Sequence, residues 1–433
     1  MSVDRPTITT RRARVVRQLC IGVIALAGLE FAVATTAMTF RQLPASTDFA
    51  TYYLAGLQAR DGLSPYDAAA LAARGHDLGF EHEQFPFLYP PPFALAMQPL
   101  TRLSYPRARQ AWVILVTLAL FTALVMNGRL MRTQSASLDL QSPVSYWIVL
   151  AAFVPAALNS TGIHNDIRAG SVATLLYLAL VMVAWGAASR RAGWTAGGLA
   201  AAAVLKLTPV VALAWAAWRG ARRAVVGCMA LLVLAGGLAV AHWGWSIGSD
   251  YVRAALMPAL ASEAPLPMNQ SLDAMLSRLL VPSEVVRSPF DLPRLKMLLS
   301  LGLAASIAWV TVWSLRRRPR HVALLPVELG FVMLAVLMLM KLTWLHTLAA
   351  ILFVWPCVML PILRAAERGA AWALRAGIAA CVGFFLSSAH IPVLWNGLRH
   401  GAGVLLISVH CVGLFVLWLV CRHVLEHEAD IIS

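Results

Sequence analysis

Apolar runs recur along the chain at the length a bilayer demands. A helix needs about 20 apolar residues to cross a hydrocarbon layer about 30 Å thick. By that measure the pattern predicts spans at roughly 18–40, 89–103, 109–127, 144–160, 171–188, 193–217, 224–245, 296–314, 322–340, 347–363, 371–390 and 401–420, about twelve in all. The second is short and Pro-rich, which fits a tilted or broken helix. The expected organisation is a basic tail over 1–17, a transmembrane domain over 18–421 and a second tail over 422–433. Two long loops, 41–88 and 246–295, interrupt the runs, and loops of this length usually carry function.

In the first loop, Phe49, Tyr52, Tyr53, Gly56 and Leu57 fall at helical spacing. They predict a helix with one apolar, aromatic face, of the kind that lies along a membrane surface. No internal repeat is visible, so an inverted-repeat transporter is not favoured.

Composition agrees with the pattern. Hydrophobic residues make up 60% of the 433-residue chain and charged residues 13%, against about 25% charged in soluble domains. The fold class is therefore all-α integral membrane. The formal charge of +15 does not point to nucleic acid, because the arginines form short clusters between apolar runs rather than a basic stretch interleaved with aromatics. Cys20, Cys228, Cys357, Cys381, Cys411 and Cys421 are scattered without metal or redox spacing, as inert apolar thiols are. The N-terminal run is long and lacks a clear cleavage site, so it reads as a retained first span.

Orientation follows the basic residues. Arg5, Arg11, Arg12, Arg14 and Arg17 place the N-terminus in the cytoplasm of a multi-pass protein of the cell inner (plasma) membrane. Alternation then puts Arg102, Arg107 and Arg109 inside, together with the clusters at 219–223, 316–320 and 364–375, and the C-terminus. Arg190 and Arg191 fall on the wrong side of this assignment. The two long loops and the Lys341–His346 segment share the outer face.

Five stretches carry candidate chemistry. Asp48, after Ser46 and Thr47, suits a helix N-cap, and a carboxylate at an interface can also take a proton from an attacking hydroxyl. A phosphate-linked sugar needs no acid to help its phosphate leave, so one base suffices for an inverting transfer, unlike the paired carboxylates of glycosidases. Pro90, Pro91 and Pro92, after Tyr89, make a rigid helix entry. Lys206 sits in an apolar run with Pro209 three residues on, and such a lysine marks either a function or a contact with freed carbonyls. Asn269 and Gln270 can bond sugar hydroxyls and Arg278 a phosphate, though this stretch also suits a helix start. His346 and Trp344, at a span end, fit a proton shuttle and an interfacial anchor. Asp48 and Asp67 sharing a divalent ion is an open alternative, with no cofactor otherwise indicated.

Taken in order, these stretches resemble the polyprenol-phosphate-mannose-dependent mannosyltransferases of glycosyltransferase family 87, from about residue 45 to 365. Asp48, Tyr52, Tyr53, Ala55, Gly56, Gly62, Pro65, Tyr66 and Asp67 stand in a DFxxYYxAGxxxxxGxxPYD-like loop. Tyr89 to Leu100 matches a YPPF…PL run, Lys206 to Pro209 a KLTP run, and Asn269 to Leu272 an NQSL run. The resemblance implies a GT-C fold, with interfacial helices in the first outer loop and Asp48 as general base. It implies a polyprenyl-phosphate sugar as donor, presented from the outer leaflet, and a lipid or glycan acceptor. Tyr52, Tyr53, Arg60, Asp67, Tyr89, Lys206, Asn269, Gln270, Arg278 and Trp344 are then the expected substrate contacts, with His346 as a second catalytic residue. The chain departs from the family in two places. Gly170-Ser171-Val172-Ala173 replaces GQxN, and Trp344 is followed by one histidine rather than two. A lipid or solute transporter and an inactive envelope-assembly scaffold are the competing readings.

Overall fold

The computed structural model describes residues 8–39, 48–80, 85–262, 265–316, 321–391, 396–401 and 403–432. Every regular element among them is a helix. Ser46 and Thr47, the flank of the expected cap, lie outside the described residues. Among the described residues, seven helices are long and apolar enough to cross a membrane, or eight if Leu345–Ile351 and Val354–Glu367, bent by 41°, form one span. Ala173–Ala188, Ala192–Leu205 and Ala373–Ser388 are shorter apolar helices. The chain is thus an all-α polytopic membrane protein.

The first helix, α1 (Ile8–Thr39), is followed by α2 (Asp48–Arg60), α3 (Ala68–Asp77) and α4 (Pro91–Met97). The expected span at 89–103 does not form. Pro91 and Pro92 start a seven-residue helix, and a 3-10 turn, Gln98–Arg102, ends it. Both pack on α2 instead of crossing. Gly56 permits this, because a Cβ there would lie 2.9 Å from Thr101 Cγ2 and 3.0 Å from Met97 Cβ. Nor does α2 lie open on a membrane surface. Every residue from Phe49 to Ala59 is buried, so the apolar face read from spacing is one side of a helix that protein encloses all round.

The next helix, α5 (Tyr105–Ser137), starts beside α2, with the Tyr105 ring 5.8 Å from Phe49 and 5.4 Å from Tyr53. Arg60 donates to Thr101 O at 3.2 Å. Arg102, Arg107 and Arg109 therefore lie on the same face as Asp48, not opposite it. From there α5 crosses to the far face, where Gln134 Nε2 donates to Ala323 O (2.9 Å) and Cys357 O (2.7 Å). The chain returns through α6 (Pro143–Leu158) and turns through α7 (Thr161–Ala169). It crosses again in α8 (Ala173–Ala188), which runs parallel to α5. Trp112 Nε1 donates to Gly170 O near the start of both helices, and Asn127 Nδ2 to Tyr177 OH further along, each at 2.8 Å.

A second departure offsets the first. The expected span at 193–217 is two helices, α9 (Ala192–Leu205) and α10 (Val210–Trp218), broken at Lys206–Pro209. Proline at 209 has no amide to continue α9's bonding ladder. α9 climbs from the far face beside α8, and α10 returns to it, where Trp215 Nε1 donates to Glu328 Oε2 at 2.9 Å and Arg219 pairs with the same buried carboxylate. The next helix, α11 (Arg222–Trp243), then climbs to the Asp48 face, with Trp243 Nε1 donating to Leu63 O at 2.9 Å. With one expected span gone and another doubled back, Arg190 and Arg191 join Arg219, Arg222 and Arg223 on the far face. Arg190 and Arg191 thus rejoin the other clusters, and Arg102, Arg107 and Arg109 are the arginines left on the Asp48 face.

This topology is testable by labelling. In a Cys381→Ser background, Ser104→Cys and Gly193→Cys are expected to react with an impermeant maleimide from opposite sides of sealed vesicles. Reaction from one side would contradict the path of α5 to α8. A Cβ at Gly193 meets nothing within 4 Å, so the probe site is sterically free.

Candidate active site

Asp48 opens α2, and its position is set by its neighbour. Phe49 is fully buried against Trp112, ring centroids 5.7 Å apart, and against the turn between α7 and α8. Gly170 caps α7 in the left-handed conformation, φ +67°, and a Cβ there would fall 2.6 Å from Phe49 Cβ. Only glycine satisfies both demands. The α7–α8 turn therefore seats directly on the start of α2 and delivers Asp166 and Ser171 to the Asp48 carboxylate. Asp166 is fully buried and accepts from Ala173 N (3.0 Å) and Thr174 N (2.9 Å) in the first turn of α8, where backbone donors and the helix dipole favour an anion.

Two further segments close on Asp48. His346 Nε2 lies 3.7 Å from Asp48 Oδ2. The 3-10 segment Leu345–Ile351 that carries it packs on α7, since a Cβ at Gly162 would lie 2.7 Å from Ala349 N. At the tip of the α9–α10 hairpin, Lys206 Nζ donates to Thr347 Oγ1 at 3.5 Å. Burial and the nearby Asp166 charge push the Asp48 acid up, Lys206 and the Ser171 hydroxyl pull it part of the way back, and the result is about 6. The Asp48 side chain remains 21% exposed.

The tyrosines line this corner. Tyr52 OH donates to Tyr89 OH at 2.6 Å, with the rings edge to face at 4.8 Å. Burial and the Asp48 charge both raise the Tyr89 phenol, so it stays a neutral hydrogen-bonding group. Tyr66 OH donates to Tyr89 O at 2.7 Å and fixes the segment leading into α4.

The structure thus brings Asp48, Tyr52, Tyr89, Lys206 and His346 into one cluster. The other expected contacts have different surroundings. Tyr53 OH donates to Leu103 O, Arg60 is exposed and bonded to Thr101 O and Asp61, and Asp67 is exposed and caps α3 through Ala70 N. Asn269, Gln270 and Arg278 are fully buried and bonded largely to backbone. Asn269 Nδ2 donates to Lys341 O and its Oδ1 accepts from Thr343 N, while Gln270 Nε2 donates to Pro267 O and Ile407 O. Arg278 donates to Leu266 O, Asn269 O and Ser408 Oγ. Leu345 N donates to Met268 O, so this motif grips the segment that ends in Trp344 and His346. Trp344 is half-buried at the head of the 3-10 turn.

Asp166, Ser171 and Thr347 were not singled out from sequence. Asp166 did leave a signal: His164-Asn165-Asp166 is a polar run at the junction of two apolar ones. Among the described residues no group of three His, Cys, Asp or Glu side chains is placed to hold a metal ion.

No curated protein matches the chain. The family model for glycosyltransferase family 87 matches residues 87–342, more than half of the sequence. The matched region contains Tyr89, Asp166, Lys206, Asn269, Gln270 and Arg278, while Asp48 and His346 flank it on either side. Apolar helices of spanning length, a carboxylate cluster at one end of them and this match together identify the chain as a membrane glycosyltransferase belonging to glycosyltransferase family 87.

Proposed function

We propose that the protein transfers a hexose, mannose by family resemblance, from a polyprenyl-phosphate sugar to a hydroxyl of a lipid or glycan acceptor, with Asp48 as general base. The observation that carries this reading is the Asp48 carboxylate itself: partly dry, accessible, and flanked by one cation and one imidazole. A base works best when its acid strength lies near the working pH, and burial moves Asp48 in that direction. As the acceptor oxygen attacks the anomeric carbon, its proton passes to Asp48. The bond from that carbon to the phosphate oxygen breaks, and the lipid phosphate departs with the electron pair. Lys206 stands where it can meet the negative charge of the departing phosphate. His346 orients the Asp48 carboxylate, and Tyr52 and Tyr89 form the hydroxyl-bearing wall beside it. The site faces the outer leaflet, which accords with the arginine clusters at 190–191 and 219–223 lying on the opposite face.

Three outcomes test this. Asp48→Asn is expected to lower transfer from a radiolabelled polyprenyl-phosphate sugar by roughly 10²–10⁴-fold, the usual weight of general-base catalysis. Its thermal midpoint should hold or rise. The folded-state acid is weaker than the unfolded one, so this group favours folding fully below pH 4, and that contribution is lost as pH rises through about 6. Asparagine escapes that cost, about 3 kcal/mol for a shift of this size. Wild-type transfer by Asp48→Asn would remove Asp48 from the role of base.

The rate for wild-type protein should fall as pH drops below about 6, when Asp48 takes up its proton. Asp166→Asn removes a like charge and should move that acid limb to lower pH. A limb that stays in place would mean another group titrates. Lys206→Met should slow transfer at saturating donor while leaving the acid limb near its position or slightly above, since Lys206 pulls the Asp48 acid down. Unchanged turnover would exclude a phosphate contact.

A further inference from the structure

A groove of about 360 Å³ opens between α1, α5 and α6, at a distance from the Asp48 cluster. Its walls are apolar: Ile24 and Gly28 on α1, Phe121 and Leu124 on α5, Leu150 and Val154 on α6. Tyr146, Leu150, Val154 and Leu158 recur every fourth residue, so they form one stripe of α6 about 18 Å long at 1.5 Å per residue. Its mouth at one end carries Arg129 and Arg132. Arg129 lies twenty residues along α5 from Arg109, which is about 30 Å, so these guanidiniums sit at the far face of the bilayer from Asp48. Both are exposed, and no carboxylate lines the groove. The Arg132 guanidinium stands 6.0 Å over the Tyr146 ring, and Arg17 of α1 stands 5.8 Å over the neighbouring Trp147. Three cations thus gather at one end of a chain-length apolar trough.

We propose that this groove binds an anionic glycerophospholipid of the leaflet opposite the Asp48 site, its phosphate between Arg129 and Arg132 and one acyl chain along the α6 stripe. The charge complementarity is that of a phosphate meeting guanidiniums in a poorly screened setting. A trough about 18 Å long accepts most of an ordinary acyl chain. Two arginines that merely reach for the water layer would require no trough beneath them. Gly28 and Gly128 keep the trough open. A Cβ at Gly28 would meet only Phe121 at 3.8 Å, and one at Gly128 only Tyr146 Oη at 3.5 Å and Leu150 Cδ1 at 4.0 Å. Larger side chains can therefore enter the groove without pushing on backbone. The proposal is independent of the reading of the Asp48 site.

The test is lipid binding to the delipidated full-length protein in detergent, read by native mass spectrometry and by thermal midpoint. Phosphatidylglycerol is expected to bind at least tenfold tighter than phosphatidylethanolamine of the same chains, and to raise the midpoint more. Arg129→Gln with Arg132→Gln should erase that preference. Gly28→Leu and Gly128→Leu, which leave both charges in place, should weaken phosphatidylglycerol tenfold or more. Equal binding of the two lipids would overturn the proposal, as would groove-filled variants that bind normally. Displacement by inorganic phosphate alone would show that the acyl chain adds nothing, and preference for a polyprenyl phosphate over phosphatidylglycerol would show that the occupant is wrongly assigned. Either result would overturn it.

Discussion

The seating of Phe49 on Gly170 is the contact on which the Asp48 cluster depends. One missing Cβ lets the start of α2 meet the α7–α8 turn at a distance no other residue allows. The same glycine reverses the chain in a left-handed conformation, so that Asp166 lies in the last turn of α7 and the amides of Ala173 and Thr174 begin α8 around it. Trp112 and Arg109, on α5, hold this turn from the other side through the carbonyls of Gly170 and Arg168. A short stretch of backbone thereby sets where three helices begin or end, and places two carboxylates near one another.

Two like charges in a partly dry corner would be unfavourable without compensation. The compensation comes from elements distant in sequence. Helix amides absorb the Asp166 charge, and the Lys206 ammonium and Ser171 hydroxyl offset that of Asp48. Lys206 reaches this level only because Pro209 breaks the apolar run, so that α9 ends and α10 turns back. His346 reaches it because the Asn269 side chain and the Gln270 and Met268 backbone hold the segment from Lys341 to Leu345 by its backbone. The NQSL motif, whose polarity suggests sugar recognition, has its Asn269 and Ser271 side chains engaged in this clamp, while the Gln270 side chain ties it to Pro267 and Ile407.

The far face has a different chemistry. There the arginines of α5, α8–α9 and α10–α11 gather, one of them paired with the buried Glu328 carboxylate. Burying such a pair is costly unless its geometry is good, and Trp215 supplies a further donor to the same oxygen. The groove beside Arg129 and Arg132 belongs to this face. The opposite face centres on the Asp48 carboxylate cluster, with Arg102, Arg107 and Arg109 on the same side.

How much of this was legible in the sequence depends on the range of the interaction concerned. Class was legible, because 60% hydrophobic residues in long runs leave no soluble alternative. Asp48, Lys206 and His346 were legible as candidates, because an ionisable group beside an apolar run stands out against its neighbours. Asp166 was nearly so, but a lone acid between two runs looks like a loop residue until its amide partners are known. Crossing number was not legible. The run at 89–103 is apolar enough to be a span, and only its packing on α2 through Gly56 shows that it stays on one face. The run at 193–217 is longer still, and the return of α10 is decided by Pro209 together with the Arg219–Glu328 pair, residues more than a hundred positions apart. Hydropathy reports what a segment can bury, and it is silent on whether lipid or protein buries it. That choice is made by contacts between distant segments, and it alone determined which polar side chains share the Asp48 corner and which are spent holding the backbone around it.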